Sequence, residues 1–391
     1  MTQPKSARDA ENGADPLRKL IEVEEELNVE VLEREDEVKS LVLALIAGEH
    51  VLLLGSPGTA KSALSRALCE RIEGGSYFSV LLTRHATPAL IFGPDRLSAL
   101  QEDRYEQNTE GMLPEATIAF IDEIFKSNSS VLNGMLPILN ERLYKNGSKW
   151  QEVPLQMAVG ASNEMPEDRE ELGALYDRFL IRHLVEPVRQ EKSFEAILLR
   201  KTGASGRKTT LSLEEILAAR GRARKVDLSA VVPQIIEVRG TLAEEGIEPS
   251  VRRFDKGGDL VRSAAYLAGR ELATEEDLAP LAHVLWEDPE QVSTVRDAIL
   301  CRANPYLKEA QDLLDEGEEV AQNALAADEL ERSSRGAEAN RKLKAIQDKL
   351  LTLRGRASDS GRSAGSIDAA LTAIKDKNRE ILGRCLGVDG T

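Results

Sequence analysis

The chain contains few cysteines, few histidines and few aromatic residues. Its three cysteines stand far apart and its four histidines are scattered, so neither residue type has the spacing of a zinc site or of a disulfide framework. We therefore predict no transition-metal site, and we expect Cys69, Cys301 and Cys385 to be reduced, core-packing residues of a cytoplasmic protein. Aromatic residues make up 4% of the chain and hydrophobic residues 41%, a composition ordinary for a soluble protein apart from the low aromatic content.

Positive charge is also scarce, with 51 lysines and arginines against 67 acidic residues and a formal net charge of −16. Contacts with nucleic-acid phosphates need clustered basic residues, so this balance argues against a general nucleic-acid binder. No apolar run approaches the roughly 20 residues that a membrane-spanning helix needs. The polar N-terminus lacks the pattern of a secretory signal peptide. We therefore expect nucleic acid to be an unlikely partner, and we expect no integral membrane association.

An apolar run at residues 51–54 leads into a glycine-containing loop that ends in Lys61 and Ser62. A strand, a tight turn and a helix start in this order suit a triphosphate, because backbone N–H groups and the helix dipole face the anion. Lys61 would then reach the β- and γ-phosphates, and the Ser62 hydroxyl would bind Mg²⁺. The usual pattern has glycine where Ala60 stands, and we expect helical dihedral angles there, which alanine tolerates. The alternative is a plain strand–turn–helix.

A second apolar run, residues 117–121, ends in the adjacent carboxylates Asp122 and Glu123. Such runs are typical of central parallel strands, and acids at the carboxyl end of a strand lie where open α/β sheets bind ligands. Asp122 would hold Mg²⁺, and Glu123 would orient the attacking water or accept its proton. The alternative is a strand followed by an acidic helix cap.

A third strand is predicted at residues 155–162, directly before Asn163. An amide at the tip of a strand beside the acidic strand could hydrogen-bond the γ-phosphate or its attacking water, whereas the commoner use of asparagine is in a turn. Further along, Arg178 and Arg182 would share one helical face. They could be ordinary surface charges, or they could stabilise the charge on the γ-phosphate of a neighbouring subunit.

These stretches resemble the MoxR branch of the AAA+ ATPases and, within it, the RavA subgroup. The resemblance is carried by the sequences at 55–62, 120–124, 139–142, 161–164 and 175–182. It extends from about residue 35 to 190, continues more weakly to about 300 and fades beyond. Alanine before the P-loop lysine is usual in that branch. The resemblance implies an α/β fold, namely an AAA+ P-loop core with a parallel sheet, followed by a helical lid and a C-terminal all-α arm. The domains would be residues 1–190, 191–302 and 303–391.

The resemblance also implies roles at single positions for binding ATP and Mg²⁺. The nucleotide-binding loop would be Gly55, Ser56, Pro57, Gly58, Thr59, Ala60, Lys61 and Ser62. Asp122 would join Ser62 at the metal, Glu123 would be catalytic, and Asn163 would match sensor 1. Arg178 would be the arginine finger, with Arg182 as the other candidate, and Arg252 would be the sensor 2 residue of the lid that contacts ATP, with Arg253 left open.

In function, the resemblance implies an ATP-hydrolysing ring of six subunits that remodels or activates protein partners in the manner of a chaperone. A protein client and a partner carrying a von Willebrand factor A domain are implied. The alternatives are a nucleic-acid-stimulated ring motor, for which Lys145 and Lys149 would supply basic hairpin residues, and a nucleotide-dependent scaffold. Glu123 argues against the scaffold, because a scaffold needs no general base.

Two further segments have readable patterns. Residues 143–153 predict a hairpin around Asn146-Gly147, where Tyr144 and Trp150 could either contact a substrate or pack across the strands. The C-terminal part predicts long helices interrupted near Gly355 and at residues 358–361. The second break is too short for an inserted β-containing module, so we expect the arm without that module.

Overall fold

The computed structural model describes residues 15–126, 128–166, 169–199, 208–303, 305–326, 331–359 and 365–386. The chain divides into two compact units. The first consists of Met1–Val232 with Ile247–Val292, and the second consists of Pro233–Gly246 with Ser293–Thr391.

A parallel sheet of five strands forms the centre of the first unit, in the order β2-β3-β6-β1-β7. A separate two-stranded hairpin is formed by β4 and β5. The strands are β1 His50–Leu54, β2 Tyr77–Leu81, β3 Ile118–Asp122, β4 Leu143–Asn146, β5 Lys149–Glu152, β6 Met157–Ser162 and β7 Phe179–Leu184. All residues of β1 and β6 are buried, which explains why these strands read as continuous apolar runs.

Most helices before residue 268 belong to this first unit. They are α1 Pro16–Glu30, α2 Glu35–Ala47, α3 Lys61–Cys69, α4 Pro88–Phe92, α5 Leu97–Leu100, α6 Ser129–Glu141, α7 Arg169–Tyr176, α8 Glu191–Leu198, α9 Leu213–Ala223 and α11 Val251–Leu267. Helix α2 ends at Gly48, whose φ of 80° is left-handed, as a helix-terminating glycine predicts.

Part of the region predicted as a lid packs inside the first unit. Helix α11 contacts α2 and α9, and the 3₁₀ segment Glu275–His283 packs on α11 and β7. The unit boundaries therefore differ from the predicted divisions at residues 190 and 302, which stay predictions.

The second unit is helical throughout its described residues. Its helices are α10 Val232–Glu244, α12 Val292–Ala303, α13 Pro305–Leu325, α14 Arg332–Asp359 and α15 Gly365–Leu386. The last three pack as a bundle around buried residues such as Leu343, Leu350 and Ile374. The predicted interruption near Gly355 is wrong, because α14 continues through it to Asp359. A glycine inside an exposed helix costs only about 1 kcal/mol, which the buried heptad-like face of α14 outweighs.

The cysteines can be compared with the expectation from composition. Cys69 and Cys385 are buried, but Cys301 is exposed, so the prediction that all three pack in the core is wrong for Cys301. Within the described segments, no helix is long and apolar enough to cross a membrane. In the same segments, no group of three or more histidine, cysteine or acidic side chains could hold a metal ion.

Candidate nucleotide-binding site

The loop between β1 and α3 has the backbone shape of a phosphate cradle. Gly58 has a φ of 83° and Gly55 a φ of 156°. A Cβ atom at Gly55 would lie 2.2 Å from the Val185 carbonyl oxygen, so the loop can approach β7 only with glycine there. The loop then turns into α3, whose first residues are Lys61 and Ser62.

Ala60 adopts a left-handed conformation, with φ 66° and ψ 17°. The expectation of helical dihedral angles at this position is therefore wrong. Left-handed backbone costs an L-residue roughly 1–2 kcal/mol, which explains why glycine is usual before the lysine. The cost is local strain in the phosphate loop, and the loop nevertheless forms.

The Lys61 ammonium lies inside the loop that precedes it. Its Nζ donates to the carbonyl oxygens of Gly55 at 2.5 Å and Ser56 at 3.0 Å. Partial burial lowers the pKa of Lys61, while the charges of Asp122 and Glu123 raise it. The ammonium is therefore close to both acids and is held by neutral carbonyls that an anion can replace.

The two acids stand at the carboxyl end of β3, as predicted. Asp122 Oδ1 accepts a hydrogen bond from the Glu123 N–H at 3.0 Å, and Glu123 has a left-handed φ of 51°. Asn163, at the end of the adjacent strand β6, donates from Nδ2 to Glu123 Oε1 at 2.6 Å. Lys126 Nζ lies 3.2 Å from Glu123 Oε2. The sheet thus brings Asn163 to Glu123 and holds the glutamate in a strained conformation of the kind found at functional sites.

These groups line one cavity of about 520 Å³. The lining combines the phosphate loop, Asp122, Glu123 and Asn163 with a second group of residues, namely Glu30, Val31, Leu32, Arg34, Val188 and Ile197. The loop's N–H groups and Lys61 suit the phosphates of a nucleotide, and the four aliphatic side chains of the second group supply apolar surface for its base.

The residues present fit ATP and Mg²⁺. The loop supplies backbone donors and a lysine, Ser62 supplies an exposed hydroxyl, and Asp122 supplies a carboxylate in the same cavity. Magnesium at nucleotide sites takes few protein ligands and completes its shell with phosphates and water, so a hydroxyl and one carboxylate suffice.

Arg34 was missed by sequence reasoning, although it lines this cavity. Its side chain is buried and donates from Nε to the Thr59 carbonyl at 3.3 Å and from Nη2 to the Glu186 carbonyl at 2.5 Å. It therefore ties the phosphate loop to the chain segment after β7. No local pattern marks it, because its partners are distant in sequence.

Arg178 lies far from the cavity of its own chain. It occupies a turn directly before β7, and Phe179 at the start of β7 pairs with His50 at the start of β1. The phosphate loop instead follows Leu54 at the other end of β1, about 16 Å away for five strand residues. Arg178 therefore stands at the edge of the sheet opposite to the phosphates and does not line the cavity.

Arg182 and Arg253 are buried structural residues. Arg182 is 1% exposed, donates to the Trp286 carbonyl at 2.7 Å and stacks on the Tyr176 ring at 3.7 Å. Burial, followed by repulsion from Arg253, lowers the pKa of Arg182 to about 9. The expected helical face with Arg178 does not form, because this segment is a turn and a strand. Between the two finger candidates, only Arg178 remains near a surface.

Arg252 is exposed but lies outside the cavity. Its Nη1 is 3.1 Å from Asp177 Oδ2, so it stands next to the turn that carries Arg178. Arg252 and Arg178 therefore belong to one surface, at the opposite edge of the sheet from their own phosphate loop.

Comparison with known proteins agrees with this geometry. The family profile of the MoxR domain in the MoxR-vWA-beta-propeller ternary systems matches residues 18–220, and an AAA lid domain profile matches residues 230–299. The uncharacterized protein MJ0079 of Methanocaldococcus jannaschii is 40% identical over 303 residues, which cover 77% of this chain and 78% of that protein. The chain belongs to the MoxR family of AAA+ ATPases.

Other relatives place this MoxR protein in the same group. The uncharacterized protein MJ0812 of the same archaeon is 40% identical over 300 residues, covering 76% of this chain and 80% of that protein. The chaperone MoxR1 of Mycobacterium tuberculosis is 28% identical over 149 residues, covering 37% and 38%. A candidate ATPase of Cytophaga hutchinsonii shares the fold, with a TM-score of 0.60 at 18% identity, covering 74% of this chain and 95% of that one. The predicted fold class is confirmed.

In the hairpin of this MoxR protein, Tyr144 and Trp150 have different surroundings. Tyr144 is buried, stacks on Phe92 with ring centroids 5.4 Å apart and hydrogen-bonds Gln107 through its hydroxyl. Trp150 is 56% exposed and pairs with Lys145 across the hairpin. The two rings therefore do not pack on each other. Tyr144 docks the hairpin, and only Trp150 is exposed to a partner.

Proposed function

We propose that this MoxR protein hydrolyses ATP as a ring and uses the cycle to remodel or activate a protein client, as a chaperone-like machine. One observation supports the proposal of hydrolysis. The Glu123 carboxylate accepts a hydrogen bond from Asn163 and shares a cavity with Lys61, Ser62 and Asp122. A site that only bound nucleotide would have no use for a carboxylate oriented in this way beside the phosphate loop.

Each side chain has a separate task in this proposal. Lys61 exchanges the carbonyls of Gly55 and Ser56 for phosphate oxygens, because an anion is the stronger acceptor. Ser62 and Asp122 would hold Mg²⁺, which when bound neutralises charge on the β- and γ-phosphates. Glu123 orients water in line with the γ-phosphate or accepts its proton, and Asn163 keeps the carboxylate in that orientation.

The position of Arg178 supports the proposal of a ring. An arginine that stabilises the transferring phosphoryl group must approach the γ-phosphate, and Arg178 lies at the wrong edge of the sheet to do so in its own chain. A head-to-tail neighbour could present it, and such contacts close into rings. Six subunits is the number that the family resemblance suggests, and Arg252 would approach the same neighbouring site.

The partners proposed here extend the family assignment. The matching family profile describes MoxR domains in ternary systems with vWA and beta-propeller components, which supports a partner with a von Willebrand factor A domain. The narrower RavA-like assignment, and a cytoplasmic location, are further parts of the proposal.

The test is affinity capture of the Glu123→Gln protein with ATP and Mg²⁺, because this variant should hold nucleotide without turning it over. We expect a protein partner that elutes when ATP is removed. The Lys61→Ala protein is the matched control and should capture little of that partner. Recovery of the same partner at equal yield with both variants would contradict an ATP-dependent interaction.

A nucleic-acid-stimulated motor is the second candidate, favoured by exposed Lys145 and Lys149 beside exposed Trp150 on the hairpin. The net charge of −16 opposes it. Stimulation of ATP turnover by DNA at low salt, lost in a Lys145→Ala/Lys149→Ala variant, would support this candidate. Turnover that is indifferent to DNA at low salt would exclude it.

A further inference from the structure

Asp177 lies in the turn between α7 and β7, directly before Arg178. Its carboxylate makes two different contacts. Oδ1 lies 3.5 Å from Arg253 Nη1 and Oδ2 lies 3.1 Å from Arg252 Nη1. One acid therefore lies between a buried arginine and an exposed one, next to a third arginine in sequence.

The contact with Arg253 anchors the carboxylate. Arg253 is 1% exposed, and its Nε and Nη2 donate to backbone carbonyls of Val284 and Leu180 at 2.7 Å each. Burial lowers the pKa of Arg253, and the charge of Asp177 is the strongest opposing influence. At 3.5 Å the contact is an ion pair and not a close hydrogen bond. A buried guanidinium is costly without a counter-charge, so charge attraction keeps Asp177 beside Arg253.

The contact with Arg252, in contrast, is exposed to solvent. The Arg252 side chain is 45% exposed and Asp177 is 37% exposed. An isolated ion pair this exposed contributes little to stability and orders its side chains little. Here the acid is already anchored from behind, so Arg252 loses less freedom when it binds Oδ2, and its remaining N–H groups stay available to solvent.

We propose that Asp177 is a positioning residue, which holds Arg252 beside Arg178 so that both guanidiniums face one triphosphate bound by a second copy of the chain. The inference rests on the proposed function, because it needs a neighbour with an occupied cavity. The ligand chemistry follows from the surface: two arginines close to a single carboxylate leave an excess of positive charge, which suits the γ-phosphate oxygens of a nucleotide.

Arg178 also has hydrogen-bonding capacity that its own chain leaves unused. Its Nε is buried without a hydrogen-bond partner among the residues that the structure describes. A buried donor without a partner keeps unused hydrogen-bonding capacity, and next to Asp177 and Arg252 it can be used by an anion that reaches this surface. A phosphate from a second copy would supply an acceptor at this edge of the sheet.

The test is the Asp177→Asn variant, assayed for ATP turnover as the assembled protein. We expect kcat to fall about tenfold, because residues in contact are energetically coupled and the variant loses the charge that positions Arg252. We expect KM for ATP to stay unchanged, because Asp177 is remote from the cavity of its own chain. In an Arg252→Ala background, Asp177→Asn should cause no further fall in kcat.

Mixing subunits distinguishes a positioning role of Asp177 from misfolding of the Asp177→Asn variant. Asp177→Asn subunits keep an intact phosphate loop, so adding Lys61→Ala subunits, which keep the arginine surface, should raise turnover above that of either variant alone. A misfolded Asp177→Asn subunit could not respond in this way. Asp259→Asn is the matched control, because it removes a similar ion pair, with Arg262 at 3.0 Å, and we expect wild-type turnover.

Asp177→Glu keeps the anchoring charge if the asparagine variant fails to fold. We expect wild-type thermal stability with an intermediate kcat. The glutamate keeps the negative charge, but its extra methylene shifts the carboxylate oxygen that would contact Arg252. The inference is overturned if Asp177→Asn and Asp177→Glu both turn over at the wild-type rate, or if the fall in kcat is the same in the Arg252→Ala background. Wild-type turnover by Lys61→Ala would instead overturn the proposed function itself.

Discussion

Asn163 Nδ2 and Glu123 Oε1 are joined by a hydrogen bond of 2.6 Å, although 40 positions separate the two residues in sequence. They meet because β3 and β6 are parallel neighbours, so both side chains follow the same edge of the sheet. The glutamate is therefore oriented before any nucleotide arrives, and this pre-organisation is testable.

We predict that Glu123→Gln lowers kcat by about 10²- to 10⁴-fold, the usual contribution of general acid–base catalysis. Asn163→Ala should lower kcat by roughly 10- to 100-fold, because a hydrogen bond to a charged group contributes about 1.5–3 kcal/mol. Binding of a fluorescent ATP analogue should persist in both variants. The exposed neighbour Glu164→Gln is the control, and a similar loss there would show that the loop, rather than the pair, was disturbed.

Arg178→Ala should lower kcat by about 10³-fold or more, as loss of an arginine finger does. Its own phosphate loop remains intact, so nucleotide binding by that variant should be retained. Mixing this variant with Lys61→Ala subunits should restore activity. In a random equal mixture, roughly a quarter of the interfaces join an intact phosphate loop to an intact Arg178. Steady-state turnover across mixing ratios measures this. Mixtures that never exceed the more active parent would exclude action in trans.

Ala60→Gly should stabilise the protein by up to about 1 kcal/mol. The left-handed conformation costs alanine roughly 1–2 kcal/mol, and glycine gives back about 0.4–1 kcal/mol through the unfolded chain. Denaturant-induced unfolding checks the sign. Ala63→Gly is the control within right-handed α3, where we expect a loss of about 0.5–1 kcal/mol. Equal destabilisation by both substitutions would refute the strain at Ala60.

Stability should decline in mild acid because two histidines are buried in neutral form. His50 Nδ1 accepts from the Ala158 N–H at 2.8 Å, and its Nε2 lies 2.9 Å from the Leu139 carbonyl oxygen. Burial, followed by the charge of Arg142, lowers the pKa of His50 well below its usual value. Burial likewise lowers the pKa of His183.

The direction of the pH dependence follows from proton uptake by the unfolded chain. With the folded pKa below the unfolded value of about 6.5, the unfolded chain binds more protons in acid, so unfolding free energy falls below pH 6.5 by about 1.4 kcal/mol per pH unit for each histidine. Above that pH the contribution is complete. Urea unfolding from pH 8 to 5 measures the slope, and His50→Gln should reduce it. A slope that does not change with this substitution would mean that His50 does not carry the effect.

The sequence predicted β1, β3, β6 and most groups of the cavity because these depend on local patterns, but it did not predict β2, and it read the β7 segment as a helical face. Buried parallel strands read as apolar runs, and a phosphate loop needs glycine, lysine and serine at consecutive positions. It did not predict Arg34, whose partners Thr59 and Glu186 are far apart in the chain. It also placed the break of α14 at Gly355, because a local signal for a helix end was outweighed by the packing of the buried face.

By itself, then, the sequence determined the P-loop chemistry, the parallel sheet and the family, since each is written in contiguous residues. The tertiary structure alone decided among the arginines. Arg178, Arg182, Arg252 and Arg253 carry the same charge in similar sequence surroundings, yet Arg182 and Arg253 are buried against carbonyls and the other two lie at the sheet edge remote from their own cavity. Burial and the direction of β7 separate the two pairs, and neither can be read from the identity of a side chain.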